Sequence, residues 1–126
     1  MTEKLKWAIM GPGKITLTIV RDFSLVGITF DAVGSRSIER ATTYAKQHSI
    51  PKAYGSYEDL VADQDIDIVY IATTHNAHFE NAKLALAAGK HVLLEKSFTL
   101  DANQAKQLAE LAKQKDVFLM EAMWTR

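Results

Sequence analysis

Gly11-Pro12-Gly13-Lys14-Ile15-Thr16 follows an apolar run from Leu5 to Met10 and precedes Ile15, Ile19, Val20 and Phe23, which recur at helical spacing. Glycines at such a strand-to-helix turn have a steric use. Gly11 lets the chain turn sharply, and Gly13, lacking a Cβ, lets backbone N–H groups approach a ligand closely. The helix start just beyond adds aligned amide dipoles, so the ligand it suits is an anion such as the diphosphate of a dinucleotide. Thr16 stands where a third glycine usually permits close helix-to-strand packing, and Pro12 removes one donor. Taken alone, the hexapeptide fits an empty glycine-rich turn equally well; its place after the first strand favours nucleotide binding.

The second strand ends in Val33-Gly34-Ser35-Arg36-Ser37, without the acid that holds a ribose 2′-hydroxyl in NAD-dependent sites. Asp31 is no substitute, because four strand residues place it about 13 Å upstream of Ser35. Arg36 offers a planar, permanently charged fork suited to a phosphate, flanked by the hydroxyls of Ser35 and Ser37. That combination selects NADP rather than NAD, although Arg36 as a solvated surface residue stays an open alternative. A methyltransferase would share the glycine turn but expects an acid after the second strand. His75 and His78 have metal-ligand spacing, but no third ligand of suitable type lies nearby, so no metal is expected.

These residues need an alternation of strands and helices to hold them. Val26 to Val33 reads as a second strand, and Ile38, Ala41, Tyr44, Ala45 and His48 mark the apolar face of a helix starting near Ser37. Ala53 and Tyr54 form a short third strand, after which Ser56 with Asp59 resembles a capping box. Ile66 to Ala72, nearly continuous in apolar residues, suits a strand buried on both faces. Phe79, Ala82, Ala85 and Leu86 keep helical spacing up to Gly89, and His91 to Leu94 is the next strand. Asp101 with Gln104 caps a last helix carrying Ala105, Leu108, Ala109 and Ala112, with Lys113 and Lys115 against its negative end, and Val117 to Met120 closes the series. The pattern predicts an α/β fold: a doubly wound, mainly parallel Rossmann sheet in a single domain spanning residues 1–126.

Composition narrows the function classes. A length of 126 residues suits one domain, and 48% hydrophobic with 24% charged residues is ordinary for a globular protein in water. Zero formal net charge provides no positive field for nucleic acid or anionic lipid. The absence of cysteine excludes disulfides, thiolate metal sites and thiol nucleophiles, and points to a cytoplasmic setting. Neither a signal peptide nor a membrane span is evident.

Three segments resemble one family: the glycine turn, Thr73-Thr74-His75-Asn76-Ala77-His78, and Ala87-Ala88-Gly89-Lys90-His91-Val92-Leu93-Leu94-Glu95-Lys96. This is the Gfo/Idh/MocA group of NAD(P)-dependent oxidoreductases. Within it, the segment from Lys52 to Leu60 and that from Phe118 to Arg126 resemble the branch of dimeric dihydrodiol dehydrogenases and NADP-dependent xylose dehydrogenases. The resemblance implies an oxidoreductase that moves hydride between nicotinamide and a sugar, a sugar-derived alcohol or a cyclic diol.

The resemblance also implies roles for residues. Lys96 takes the place of the family lysine at the nicotinamide end, where a desolvated ammonium would hydrogen-bond the substrate oxygen and steady developing alkoxide character. Glu95 would contact the nicotinamide ribose, Thr73, Thr74, Asn76 and His78 would line the cofactor, and Asn76 and His78 would shape the loop beneath the nicotinamide ring. Ser97 replaces the family proline, removing a restriction on Lys96. Trp124 and Arg126 would lead into a second domain that completes the substrate pocket and carries a homodimer surface. Relatives of this kind run to more than twice this length, so the expectation is cofactor binding with little turnover, and exposure of Met120, Met123 and Trp124. A non-catalytic dinucleotide sensor is the alternative that Ser97 and the chain length leave open.

Overall fold

The computed structural model describes residues 5–11, 25, 27–71, 78–94 and 102–121. Among the described residues six parallel strands form one sheet: β1 (Trp7–Met10), β2 (Phe30–Gly34), β3 (Lys52–Tyr54), β4 (Ile68–Ile71), β5 (His91–Leu94) and β6 (Leu119–Glu121). Their order across the sheet is β3-β2-β1-β4-β5-β6. Chain order therefore runs outward from β1 in one direction and then from β4 in the other, the doubly wound arrangement predicted from the sequence. The described helices are α1 (Ile38–His48), α2 (Tyr57–Val61), α3 (His78–Ala87) and α4 (Ala102–Lys115). The first predicted helix, carrying Ile15, Ile19, Val20 and Phe23, lies outside the described residues.

Side chains that alternate along each strand feed two cores. On one face Ala8, Met10, Val69, Ile71, Val92 and Leu94 meet Leu60 of α2, Leu86 of α3 and Leu108 of α4; on the other Ile9, Val33, Tyr70 and Leu93 meet Tyr44 and Ala45 of α1. Phe30 belongs to the second core and Ala32 to the first, although residues two apart normally share a face. A bulge explains it: Trp7 pairs with Phe30 but Ala8 pairs with Ala32, so Asp31 is the extra residue.

Local chemistry starts and stops the helices. The hydroxyl of Ser37 accepts the Arg40 N–H at 3.3 Å and that of Ser56 accepts the Asp59 N–H at 3.1 Å, one cap for α1 and one for α2. Gly89, at φ 81°, closes α3 in a conformation most side chains resist. Lys113 and Lys115 occupy the last turn of α4, as the sequence suggested; Asp101 lies outside the described residues.

Several boundaries differ from the pattern reading. β1 starts at Trp7 rather than Leu5, β2 at Phe30 rather than Val26, and β6 at Leu119 rather than Val117. Gly27 lies in a turn and Ile28 and Thr29 between it and β2 belong to no strand, while Val117 spends its N–H on Ala112 O in closing α4. Ile66 is buried but precedes β4, which starts at Ile68. In α4 the buried pair is Leu108 and Ala112, with Leu111 packed beside it, whereas Ala105 and Ala109 are exposed. Those alanines favour helix without having to bury anything. Ile38, expected on the buried face of α1, is 54% exposed because it sits at the helix start, ahead of the first turn that reaches the sheet.

Candidate nucleotide site at the carboxyl edge of the sheet

β1 and β4 are neighbours whose chain connections leave in opposite directions, so a crevice opens beyond their carboxyl ends, at Met10 and Ile71. Gly11 is the first residue past β1. Its φ of 77° is left-handed, a conformation open to glycine, and its N–H donates to Gly34 O at 2.9 Å, a last bond to β2 beyond the end of β1. Pro12, Gly13, Lys14, Ile15 and Thr16 lie outside the described residues.

Ser35, Arg36 and Ser37 follow β2 at the same edge. Ser35 is buried; its N–H donates to Tyr54 O at 3.0 Å and its hydroxyl accepts the Ser37 N–H at 3.3 Å. Ser37 caps α1, and Arg36 between them is exposed. Each serine hydroxyl accepts a backbone N–H and so keeps its own proton to give. The outcome is a short loop whose serines hold its shape while the single arginine faces solvent. Asp31 stays upstream in β2, with Ala32, Val33 and Gly34 between it and this loop.

Close packing fixes the loop from beneath. A Cβ on Gly34 would come within 2.8 Å of Leu60 Cδ2, and one on Gly55 within 2.9 Å of Ile38 Cβ. β2 and β3 pair with Gly34 opposite Tyr54, so the two loops that follow these strands run side by side. That pairing brings Tyr57, at the start of α2, to Arg36, whose guanidinium lies in hydrogen-bonding reach of the phenol. Burial raises the Tyr57 phenol above its ordinary value, and the charge and hydrogen bond of Arg36 act the other way. Tyr57, Gly34 and Gly55 were not singled out from the sequence, because their closeness to Arg36 depends on the parallel pairing of β2 with β3.

His78 is the first residue of α3, which follows β4 at this edge. Thr73, Thr74, His75 and Asn76, as well as Glu95, Lys96 and Ser97 just after β5, lie outside the described residues, as do Met123, Trp124 and Arg126. Leu94, the last residue of β5, pairs with Ile71, so β5 ends at the same edge as β4. A turn of left-handed backbone after β1 and an exposed cation after β2 fit the diphosphate and the 2′-phosphate of a dinucleotide. No helix among the described residues is long and apolar enough to cross a membrane.

Known proteins share both sequence and shape with this chain. The sequence profile of a family described as an oxidoreductase family with an NAD-binding Rossmann fold, Gfo/Idh/MocA, matches residues 5–123. The chain is 46% identical to a D-xylose 1-dehydrogenase (NADP(+)) of Hypocrea jecorina, over 97% of this chain and 34% of that protein. It is 40% identical to a trans-1,2-dihydrobenzene-1,2-diol dehydrogenase of Sus scrofa, over 97% of this chain and 37% of the relative. Among solved structures, a 3-ketoreductase from Actinomadura kijaniata in complex with NADP and TDP-benzene superposes with a TM-score of 0.87 at 29% identity, covering 94% of this chain and 37% of that one. The chain thus spans about a third of the length of the curated relatives it matches.

Proposed function

Because the chain belongs to the Gfo/Idh/MocA oxidoreductase family, in its NAD-binding Rossmann fold, we propose that it is the cofactor-binding part of an NADP-dependent dehydrogenase for a sugar, a sugar-derived alcohol or a cyclic diol. Arg36 carries this reading. It follows β2, where an NAD site would place an acid, and it is exposed on a loop that Ser35 and Ser37 hold in shape. Its fork would take the adenosine 2′-phosphate, and the turn from Gly11 through Gly13, with Lys14 and Ile15, would take the diphosphate. Thr73, Thr74, Asn76, His78 and Glu95 would line the nicotinamide half. When bound, the nicotinamide supplies the hydride chemistry.

Lys96 is the residue we assign to the reacting oxygen. Its ammonium would hydrogen-bond the substrate hydroxyl, steady the negative charge that grows there and, once desolvated, exchange a proton with it. The chain spans about a third of the relatives' length, and in this reading residues outside that third would close the substrate pocket. Titrating NADP and NAD separately into the chain by calorimetry tests the proposal. We expect tighter binding of NADP, lost in Arg36→Ala by about 10- to 100-fold with NAD little changed, the loss of a charge-assisted pair. Equal affinities for the two cofactors in the unsubstituted chain would refute it.

A further inference from the structure

A phosphate-binding arginine on a surface loop loses affinity to its own freedom, because a long side chain must be ordered each time ligand arrives. Arg36 has a neighbour that reduces this cost. Among the described residues no carboxylate lies within ion-pair distance of it; its partner is the phenol of Tyr57. The difference matters, since a carboxylate would hold the guanidinium and also cancel the charge that a phosphate needs. A neutral phenol oxygen accepts one N–H and leaves the cation whole.

Tyr57 is itself held on several sides. Its ring packs against the core beneath α2, and Ser56 caps that helix with a 3.1 Å bond from Asp59 N–H. The loop before it is tied to the Arg36 loop by the 3.0 Å bond from Ser35 N–H to Tyr54 O and by the close approach of Gly55 to Ile38. The phenol therefore stands at a fixed distance from the backbone that carries Arg36.

We propose that Tyr57 is the positioning residue for Arg36, its hydroxyl oxygen accepting a guanidinium N–H so that the remaining donors face the adenosine 2′-phosphate, and that it thereby sets much of the preference for NADP over NAD. The proposal rests on the reading of Arg36 as the 2′-phosphate ligand. It assigns Tyr57 no contact with the nicotinamide or the substrate. A phenol is protonated at neutral pH in any case, and burial raises its value further, so it stays a neutral acceptor there.

The test is calorimetric titration of NADP and of NAD into the 126-residue chain, Tyr57→Phe, Arg36→Ala and the double variant. Phenylalanine keeps the ring in the core and removes only the oxygen. We expect Tyr57→Phe to weaken NADP about three- to tenfold and NAD by less than about twofold, and to have no further effect once Arg36 is alanine. An unchanged NADP-to-NAD ratio in Tyr57→Phe, or equal weakening of both cofactors, overturns the proposal. Arg36→Ala that keeps the preference overturns instead the reading on which it rests. Should Tyr57→Phe fail to fold, NMR titration of 13C-tyrosine in Arg36→Ala decides: the Tyr57 resonance should titrate at higher pH than in the unsubstituted chain, and an unchanged midpoint contradicts the contact.

Discussion

Single atoms decide the geometry around the candidate site. At Gly34 there is no room for a methyl group, because Leu60, fully buried, has its Cδ2 where the new Cβ would come to 2.8 Å. Gly34→Ala is expected to lower stability by about 1–3 kcal/mol, the usual effect of overpacking, and Leu60→Ala should partly relieve it when the two are combined. Denaturant titration of the singles and the double checks this; strictly additive losses would contradict the contact. Arg36 and Ser37 were legible in the sequence because their meaning lies in residue type and in the place just after an apolar run. Tyr57 was not, since 21 positions separate it from Arg36 and only the pairing of Gly34 with Tyr54 brings them together. The glycine turn was half legible: Gly11 takes the left-handed backbone that its position called for, while Gly13 lies outside the described residues.

Between elements, the connection from α2 to β4 is secured by a polar knot that periodicity could not reveal. The carboxylate of Asp63, 7% exposed, accepts from Tyr54 Oη at 2.6 Å, Lys52 Nζ at 3.0 Å and the Asp65 N–H at 2.9 Å. Burial alone would push this carboxyl up, but the hydrogen bonds from Tyr54, Asp65 and Lys52 and the charge of Lys52 bring it down from 3.8 to about 2. A depressed carboxylate value stabilises the fold above the unfolded value and is lost as pH falls through the folded one. Stability should therefore drop by roughly 2 kcal/mol between about pH 4 and pH 2, and Asp63→Asn should flatten that part of the profile. Thermal melts across this range measure it; an equally steep acid loss in Asp63→Asn would contradict the assignment.

The same connection rests on Lys90, whose buried ammonium donates to the carbonyls of Asp63 at 2.7 Å and Ile66 at 2.6 Å. Lys90→Met keeps the stem but leaves both carbonyls without that donor, which should cost about 1–3 kcal/mol, read as a fall in denaturation midpoint. Elements marked by a continuous apolar run or by caps, such as β4, α1 and α3, lie where the sequence reading placed them, β4 starting two residues later than expected. Less legible were the register of β2, where a bulge at Asp31 changes the face of each later residue, and the apolar side of α4, where alanine signals helix rather than burial.

Across the whole sheet, the strand order β3-β2-β1-β4-β5-β6 puts Gly11, Arg36 and the carboxyl ends of β4 and β5 along one edge, which an extended dinucleotide would span. The far side of the sheet ends in β6, where Phe118 stacks on His91 with centroids 4.0 Å apart and Met120 is 46% exposed, the exposure that its place in the sequence suggested. Hydride transfer needs the reacting carbons about 3–3.5 Å apart in a site closed to water. The purified 126-residue chain is accordingly expected to bind NADP yet form no NADPH with D-xylose or a trans-dihydrodiol above the no-substrate rate. Spectrophotometric assay at 340 nm, the ordinary absorbance of the reduced cofactor, checks this, and clear substrate-dependent turnover would locate a whole active site within these residues.

The most direct measurement is a crystal structure of the chain grown with NADP. The diphosphate should lie against the backbone from Gly11 to Gly13, with the adenosine 2′-phosphate within hydrogen-bonding distance of Arg36. A cofactor bound elsewhere, or an edge left empty at saturating NADP, would contradict the account.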